Sequence, residues 1–287
     1  MCIRDSIWTA ETGFDSYWLS FVAGVDPLVA LAVVAPDVPG LAELGTSVVP
    51  FAGRHPIALA QLARTTQQAC DGRFTLGVGP SHQIVVEGSY GESWDRPFER
   101  TEEYLQVLGA LCRGEHAALG GEQITANAGL NIPCDPVPIV LAALGPKMLD
   151  LAGRTTAGTH LGNCGPRTIA EHIVPTFRAA ADEAGNDTAR IIALVSICVT
   201  DDVAGAKAAA AEGMAIYGML PSYRAMLDRE GVDGPEDLLV AGSIDEVVAG
   251  LKRYVDAGTT DLRLGIAAHD ETTRDASQAA LVELVRS

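Results

Sequence analysis

The chain is poor in positive charge, in aromatic residues and in long apolar runs. Lys and Arg total 20 against 37 Asp and Glu, the formal net charge is -17, and aromatic residues make up 5% of 287 residues. A field of that sign repels nucleic-acid phosphates and anionic lipids, so neither nucleic acid nor membrane is expected as a partner. No apolar run reaches the roughly 20 residues of a membrane-crossing helix, and no signal segment opens the chain. We therefore expect a cytoplasmic protein that acts on a small molecule.

Patterned cysteines and most motifs of catalysis are also lacking. The six cysteines are far apart, without a Cys-x-x-Cys pair or a histidine at metal-ligand spacing, so free thiols and no metal site are predicted. No Gly-x-Ser-x-Gly elbow, Walker loop or His-Glu-x-x-His motif occurs. The glycines around Gly77 lack the third glycine of a dinucleotide fingerprint. These absences disfavour hydrolase, nucleotide-hydrolysing and metalloprotease chemistry.

What the chain does have is a regular alternation of apolar runs of strand length with amphipathic runs of helix length, which predicts a parallel sheet wrapped by helices. The predicted strands are 14–19, 44–49, 74–78, 137–142, 158–161, 191–200 and 261–265, and the predicted helices are 27–34, 56–70, 97–111, 146–153, 166–184, 243–257 and 272–285. Proline at the first helical position and a Ser-x-x-Glu capping box at Ser243 mark several starts. The predicted fold class is α/β.

We interpret residues 1–287 as one domain with two excursions from the βα rhythm, at about 114–135 and 202–237. The first contains glycines and turn residues that suit a hairpin. The second begins with a long helical insertion over 202–230 that contains Ala and Met. The seven predicted strands are one fewer than an eight-stranded barrel needs, and the deficit lies at the start, where residues 7–13 read as the end of a helix. Residues 1–6 are therefore expected to lie outside the native fold, with the N-terminal strand missing or atypical.

Three predicted strands end in glycine followed by small polar or basic residues. The tips are Gly79-Pro-Ser-His82, Gly145-Pro-Lys147 and Gly162-Asn-Cys-Gly-Pro-Arg-Thr168. Ligands of parallel α/β proteins bind at the C-terminal ends of strands, where backbone amides are open to them. The three tips predict one shared pocket.

The assembled segments resemble the bacterial luciferase-like family of flavin and deazaflavin oxidoreductases, which are (β/α)8 barrels. The resemblance runs from about Glu11 to Gly265, and it is carried by ETGFDSYWL (11–19), LGTSVVP (44–50), RHP (54–56), GRFTLGVG (72–79), ALGPKML (143–149) and GPRTI (165–169). Their order and spacing resemble most closely the actinobacterial branch that uses coenzyme F420. The resemblance implies a luciferase-like (β/α)8 TIM barrel and an F420 cofactor, with FMN as the alternative.

The resemblance also implies where the cofactor ring lies. Family members carry a bulge at the end of a strand, often with a cis bond between non-proline residues, and Ser47-Val48 is the matching pair. The alternative interpretation of this segment is an ordinary buried strand rich in Val and Thr. Gly79, Pro80 and Ser81 match a tip that borders ring and substrate. His82 at that tip is the candidate catalytic residue, because imidazole donates or accepts protons near neutrality. The alternative is that His82 only caps the loop.

A phosphate on the cofactor needs backbone amides and positive charge, which a glycine turn at a helix start supplies. Gly162, Gly165, Pro166, Arg167 and Thr168 suit that need best. Gly145 and Lys147 offer a second cradle on another strand. For each of these positions the alternative interpretation is an ordinary βα turn with proline at the first helical position.

One position departs from the family. Many deazaflavin-dependent dehydrogenases of this family carry a histidine at the end of an early strand, where this chain reads Leu19-Ser-Phe-Val22. A reductase of an activated C=C or C=N bond is therefore favoured over an alcohol dehydrogenase, since the reduced cofactor supplies the hydride. The alternatives are an FMN-dependent luciferase-like monooxygenase and a catalytically silent flavin-binding barrel. Family members commonly form dimers, and an apolar helical face here is compatible with a homodimer.

Overall fold

A computed structural model describes residues 2–20 and 24–286 of the chain. The described residues form two compact units. Unit 1 consists of the residues up to 142 together with 155–157, and unit 2 consists of residues 143–154 and those from 158 onward. No described helix has the length and apolarity needed to span a bilayer.

Unit 1 alternates helices with short parallel strands, followed by a hairpin. Over its described residues, the helices are α1 (Cys2–Thr12), α2 (Pro27–Val34), α3 (Pro56–Ala69), α4 (Gln83–Tyr90) and α5 (Pro97–Cys112), and the strands are β1 (Ser16–Leu19), β2 (Glu43–Thr46), β3 (Val49–Pro50), β4 (Phe74–Gly79), β5 (Ala117–Gly120), β6 (Thr125–Ala128) and β7 (Ile139–Ala142). Strands β1, β2, β4 and β7 pair in that order as parallel neighbours, and β3 also pairs with β4.

The core of unit 1 lies between these strands and their helices. Leu44, Phe74, Leu76 and Val78 are at most 1% exposed, on the strand face that helices α2 and α3 cover. Burial of each such side chain stabilises the fold by about 1.5–3 kcal/mol. Because alternate residues of a strand face opposite sides, Thr75, Gly77 and Gly79 are left on the other face of β4.

The excursion predicted at 114–135 contains the antiparallel hairpin β5–β6. Arg64 of α3, which is 5% exposed, anchors the ends of the excursion. Its guanidinium donates to the carbonyl oxygens of Cys112 at 3.0 Å and Ile132 at 2.6 Å. A buried guanidinium that bonds several carbonyls replaces the water these groups would otherwise bind.

Unit 2 is organised around one long strand. Over its described residues, the helices are α6 (Pro146–Thr155), α7 (Pro166–Thr168), α8 (Val174–Glu183), α9 (Val203–Met219), α10 (Pro221–Glu230), α11 (Ile244–Asp256) and α12 (Glu271–Arg286), and the strands are β8 (Gly158–Leu161), β9 (Arg190–Val199), β10 (Val240–Gly242) and β11 (Asp261–Ile266). Strands β8, β10 and β11 all pair with β9 in parallel. The capping box at Ser243 is present as predicted.

The structure refines several predicted elements. The predicted strand 44–49 is two strands, β2 and β3, which a bulge at Ser47-Val48 separates. The predicted helix 166–184 contains a π-helical turn over Ile169–Ile173, and the excursion at 202–237 contains two helices that Leu220 separates. Helix α4 and strand β10 were not predicted, because each is short and lacks a clear period.

At the N-terminus, residues 2–6 form the first part of α1, and Ser6 is fully buried. The predicted helix end at residues 7–13 is confirmed, with Gly13 at a φ of 101° just beyond α1. Met1 lies outside the described residues.

Candidate active site

The bulge between β2 and β3 is the first part of the candidate site in unit 1. The peptide bond between Ser47 and Val48 is cis, at the pair that the resemblance implies. Just before it, the Thr46 hydroxyl donates to the carbonyl oxygen of Gly77 at 2.8 Å and accepts the Gly77 N–H at 2.8 Å. These two bonds attach the bulge to the middle of β4.

The glycine face of β4, formed by Gly77 and Gly79, lets the bulge lie against the strand. A Cβ atom on Gly77 would stand 1.8 Å from the carbonyl oxygen of Thr46, which no side chain tolerates. A Cβ atom on Gly79 would stand 3.1 Å from the Cβ of Ala142 and 3.4 Å from a methyl of Val48. Glycine is thus required at position 77 for close backbone approach, and position 79 is tight.

The hydroxyl of Ser47 is buried at this bulge and has no hydrogen-bond partner among the described residues. Nearly all buried polar atoms in folded proteins are hydrogen-bonded, and an exception requires an explanation. A ligand that bonds the hydroxyl would provide one. Ser47 and Val48 are themselves half-buried.

Four of the predicted residues lie together at the tip of β4. Gly79 is buried, while Pro80, Ser81 and His82 are half-buried. Ser81 has a φ of 68°, so the chain turns sharply into α4, where His82 is the N-cap. Burial lowers the pKa of His82 below its ordinary value of 6.5, because desolvation disfavours the charged ring. The imidazole is therefore neutral at neutral pH, with one donor and one acceptor nitrogen.

The loop before α5 packs beside this tip. Phe51, Pro80 and Trp94 help to line a cavity of only about 20 Å³. The carboxylate of Glu92 accepts the Gly53 N–H at 2.7 Å and pairs with Arg100 of α5. A cavity of that volume holds about one water molecule, so it is not where an organic ligand binds.

In unit 2, the predicted second cradle lies at the start of α6. Gly145 and Lys147 are exposed, and no atom lies within 4 Å of a Cβ added at Gly145. The ring of His172 bonds the carbonyl oxygen of Leu144 at 2.9 Å, which fixes the residue just before the turn. The hydrogen bond from His172 thus fixes the residue before the turn, while Gly145 and Lys147 of the turn are exposed.

The predicted phosphate turn, Gly165–Thr168, follows β8. Its two backbone N–H groups at Arg167 and Thr168 donate to the carboxylate of Glu230, at 3.2 and 2.7 Å. Gly165 is buried, and a Cβ there would stand 2.1 Å from the Glu230 carboxyl carbon. These N–H groups thus bond the carboxylate of a protein side chain, at the turn where the sequence predicts a cofactor phosphate.

Other predicted members of this turn differ in exposure. Thr168 is buried, and its hydroxyl donates to the carbonyl oxygen of Met226 at 3.1 Å. Arg167 is exposed and pairs with Glu171 one helical turn away, at 3.2 Å. Pro166 and Gly162 are half-buried, and a Cβ on Gly162 would lie 3.4 Å from the Tyr223 hydroxyl.

Glu230 and Thr46 are not among the residues that the sequence predicts for the site. Glu230 is 62 residues from Thr168, so no local spacing connects them. Thr46 reads as an ordinary β-branched strand residue. The sequence has no histidine at the tip 19–22. Phe21 and Val22 of this tip lie outside the described residues.

The chain matches a protein family and individual proteins of known sequence. A family model described as luciferase-like monooxygenase matches residues 5–261. The chain is 28% identical over 237 residues to the 5,10-methylenetetrahydromethanopterin reductase of Methanolobus tindarius, which covers 82% of this chain and 72% of that protein.

Solved structures share the fold at lower identity. An F420-dependent secondary alcohol dehydrogenase, in complex with an F420-acetone adduct, aligns with a TM-score of 0.82 and 19% identity, over 99% of this chain and 92% of that one. The FMN complex of the oxygenating constituent of 3,6-diketocamphane monooxygenase from Pseudomonas putida aligns with a TM-score of 0.75 and 18% identity, over 99% and 91%. The predicted fold class, an α/β luciferase-like TIM barrel, is confirmed.

Proposed function

The chain belongs to the luciferase-like monooxygenase family, and on that premise we propose that it is an oxidoreductase that binds coenzyme F420 and transfers hydride between it and a small organic substrate. Relatives named 5,10-methylenetetrahydromethanopterin reductase and F420-dependent glucose-6-phosphate dehydrogenase support this assignment. Within it, reduction of an activated C=C or C=N bond is the reaction we favour. The reason is that residues 19–22 include no histidine, acid or tyrosine that could take a proton from an alcohol.

The observation that carries the proposal is the partnerless buried hydroxyl of Ser47. Leaving such a group without a hydrogen bond costs about 1–3 kcal/mol. A ring with nitrogen and oxygen atoms at its edge, as flavins and deazaflavins have, would remove that cost. The hydroxyl lies at the cis bond between Ser47 and Val48. The family resemblance implies that the ring binds at this bulge, so the residues present fit the group.

Coenzyme F420, when bound, supplies the hydride chemistry; the chain positions the reactants. Ser47 would bond the ring edge, and Val48 would support it from the bulge. The Thr46 to Gly77 bonds keep the bulge in place, and the glycine face of β4 lets it lie close. Such prior positioning lowers the entropy lost on reaching a reactive geometry.

His82 is the residue we assign to proton handling. Its lowered pKa keeps the imidazole neutral, so it donates a hydrogen bond from one nitrogen while the other accepts a proton. A neutral imidazole suits relay of a proton from solvent to the reduced substrate. Gly79, Pro80 and Ser81 shape the tip that presents it.

A second candidate function is an FMN-dependent monooxygenase. The FMN complex among the structures that share this fold favours it. The same bulge would serve an isoalloxazine ring, because its edge atoms are also hydrogen-bonding groups. Oxygen consumption with reduced FMN, absent with reduced F420, distinguishes this reaction from the first.

The test is a fluorescence titration of the protein with F420 and, side by side, with FMN, repeated on Ser47→Ala. We expect F420 to bind more tightly than FMN, and Ser47→Ala to weaken binding about three- to tenfold, the loss of one hydrogen bond. Ser93→Ala, at an exposed loop serine, is the matched control and leaves affinity unchanged. Tighter binding of FMN favours the monooxygenase, and binding of neither ligand contradicts both functions.

A further inference from the structure

A cavity in unit 2 lies among α10, β10 and α11. Its volume is about 400 Å³, and its lining combines apolar side chains with charged groups and one phenol. The apolar part includes Pro166, Leu239 and Val240. Ligand pockets typically have volumes of about 300–1,000 Å³ and a few polar groups in a largely apolar lining. The cavity is therefore large enough for a small organic molecule.

The phenol of Tyr254 on α11 is the feature that points to a ligand there. Tyr254 is 3% exposed and lines the cavity, and its hydroxyl forms no hydrogen bond with another described residue. The hydroxyl is nevertheless not fully enclosed by protein atoms, so it faces the cavity. A buried tyrosine hydroxyl usually has a hydrogen-bond partner. The Tyr254 hydroxyl is thus a donor and acceptor available to a molecule in the cavity.

The charged side chains of the lining determine the sign of such a molecule. Three of them are carboxylates, on Glu230, Asp237 and Glu246, and one is the guanidinium of Arg253. Arg253 is exposed, whereas Glu230 is half-buried. Because the carboxylates outnumber the guanidinium, the lining attracts a cation and repels an anion.

The carboxylate of Glu230 can accept a further hydrogen bond without leaving the N–H groups of Arg167 and Thr168. Each of its two oxygens accepts one of these N–H groups. A carboxylate has about four lone-pair sites, so each oxygen retains one. Burial, and to a lesser degree the charge of Glu230, raises the pKa of Tyr254 above its ordinary value of 10.0. The carboxylate is therefore near the phenol, and the phenol stays neutral.

A metal ion does not suit this lining. Among the residues that the structure describes, no group of three or more Asp, Glu, His or Cys side chains could hold one. An alkylammonium group needs less, because its three N–H donors bond separate acceptors one at a time. Its alkyl stem can pack along an apolar wall while the charged end meets polar groups. The lining thus fits an organic ammonium better than a metal.

We propose that this cavity binds a small organic cation, a primary amine with an alkyl stem. The ammonium group donates to the hydroxyl of Tyr254 and to the carboxylate of Glu230, and the stem packs against Leu239 and Val240. The site is separate from the proposed hydride transfer, since the lining lies in unit 2 and includes none of the residues that we assign to the ring or to proton handling.

Two substitutions should change amine binding in opposite directions. Tyr254→Phe keeps the ring and removes the hydroxyl, so we expect about tenfold weaker binding, the loss of a hydrogen bond to a charged group. The same substitution should not lower the melting temperature, because the hydroxyl has no protein partner to lose. Arg253→Gln removes the like charge of the lining and should tighten binding about threefold.

The experiment is isothermal titration calorimetry with butylamine, diaminobutane, butanol and magnesium chloride at fixed ionic strength. The proteins are the wild type, Tyr254→Phe, Arg253→Gln and Asp256→Asn. We expect the wild type to bind both amines but neither butanol nor magnesium. Asp256→Asn, which removes an exposed charge of α11 outside the cavity, is the matched control and should bind the amines as the wild type does.

Failure of the wild type to bind either amine would overturn the inference, and so would equally tight binding of butanol or magnesium. Equal amine affinity of the wild type and Tyr254→Phe would overturn it too, and would indicate that the hydroxyl bonds only water. If Tyr254→Phe does not fold, Arg253→Gln decides, since its position is on the surface of α11. Unchanged or weaker binding in that variant overturns the inference.

Discussion

The side chain of Thr46 bonds twice to Gly77, once as donor to the carbonyl oxygen and once as acceptor from the N–H, both at 2.8 Å. Thr46 is fully buried, and it directly precedes the cis bond between Ser47 and Val48. One hydroxyl thus connects the end of β2, the candidate ring site and the middle of β4.

Replacement of Thr46 by valine keeps the shape of the side chain and removes both bonds. Buried polar groups of Gly77 lose their partner, so we expect the free energy of unfolding to fall by about 2–4 kcal/mol. Urea unfolding measures it. Thr46→Ser retains the hydroxyl and should lose less than half as much; equal loss in the two variants would show that the methyl group, not the hydroxyl, matters.

The glycine face of β4 predicts a graded response to alanine. Gly77→Ala places a Cβ against the backbone oxygen of Thr46, which cannot yield, so we expect a loss above about 3 kcal/mol or failure to fold. Gly79→Ala meets side-chain carbons at 3.1 Å or more and should lose about 1–2 kcal/mol. Gly88→Ala, in α4 with open space around it, is the control and should gain up to about 1 kcal/mol. Thermal unfolding checks the order, and a Gly77 variant as stable as the Gly79 variant would contradict it.

Arg64 should stabilise the excursion that holds the β5–β6 hairpin. Arg64→Met leaves the carbonyl groups of Cys112 and Ile132 without their charged donor, and we expect a loss of about 3–5 kcal/mol in urea unfolding. Arg113→Met removes an exposed pair with Glu115 and should lose at most about 1 kcal/mol. Similar losses in both would argue that the burial of Arg64 has no energetic role.

His160 of β8 should make the stability of the protein fall as the pH falls below neutrality. It is 4% exposed, and burial, with a smaller effect of Arg263, lowers its pKa from 6.5 to about 3. The unfolded chain therefore binds a proton that the folded one does not between these values, so this contribution is complete above pH 6.5 and lost progressively toward pH 3. At pH 5 the loss is about 2 kcal/mol.

The measurement is the free energy of unfolding at pH 7.5 and pH 5 for wild type and His160→Gln. The variant should show a smaller decrease between the two pH values, by about 2 kcal/mol. His116→Gln, at an exposed position, is the comparison. An equal decrease in wild type and His160→Gln would mean that His160 is not the group that titrates.

The sequence predicted helices well where a residue type with a strong positional preference marks their first residue. Pro27, Pro56, Pro97, Pro146 and Pro166 each begin a helix as predicted, because proline suits the first helical position. Elements without such signals were missed: β10 has three residues, and α4 follows a tip whose polar residues read as loop.

The site was predictable only in part, for a physical reason. Ser47, Val48 and the β4 tip could be named as candidates because each lies within a short segment that resembles the family. Local spacing in the sequence does not predict a hydrogen-bond partner that is distant along the chain. The Glu230 carboxylate and the Thr46 hydroxyl bond residues 62 and 31 positions away. Turn chemistry predicted a cofactor phosphate at Gly165–Thr168, and no local pattern indicated that the Glu230 carboxylate bonds the same N–H groups.

The position of β10 has a consequence for how such chains vary. Because β10 pairs with the last residues of β9, the segment with α9 and α10 leaves the sheet at one point of β9 and returns to the same point. The ends of such a loop are fixed together whatever its length, and doubling the length of a closed loop costs only about 0.6 kcal/mol. Residues 200–239 can therefore be lengthened, shortened or replaced by another segment while strands β9 and β10 keep their register. Glu230, which bonds the N–H groups of Arg167 and Thr168, would be replaced along with it.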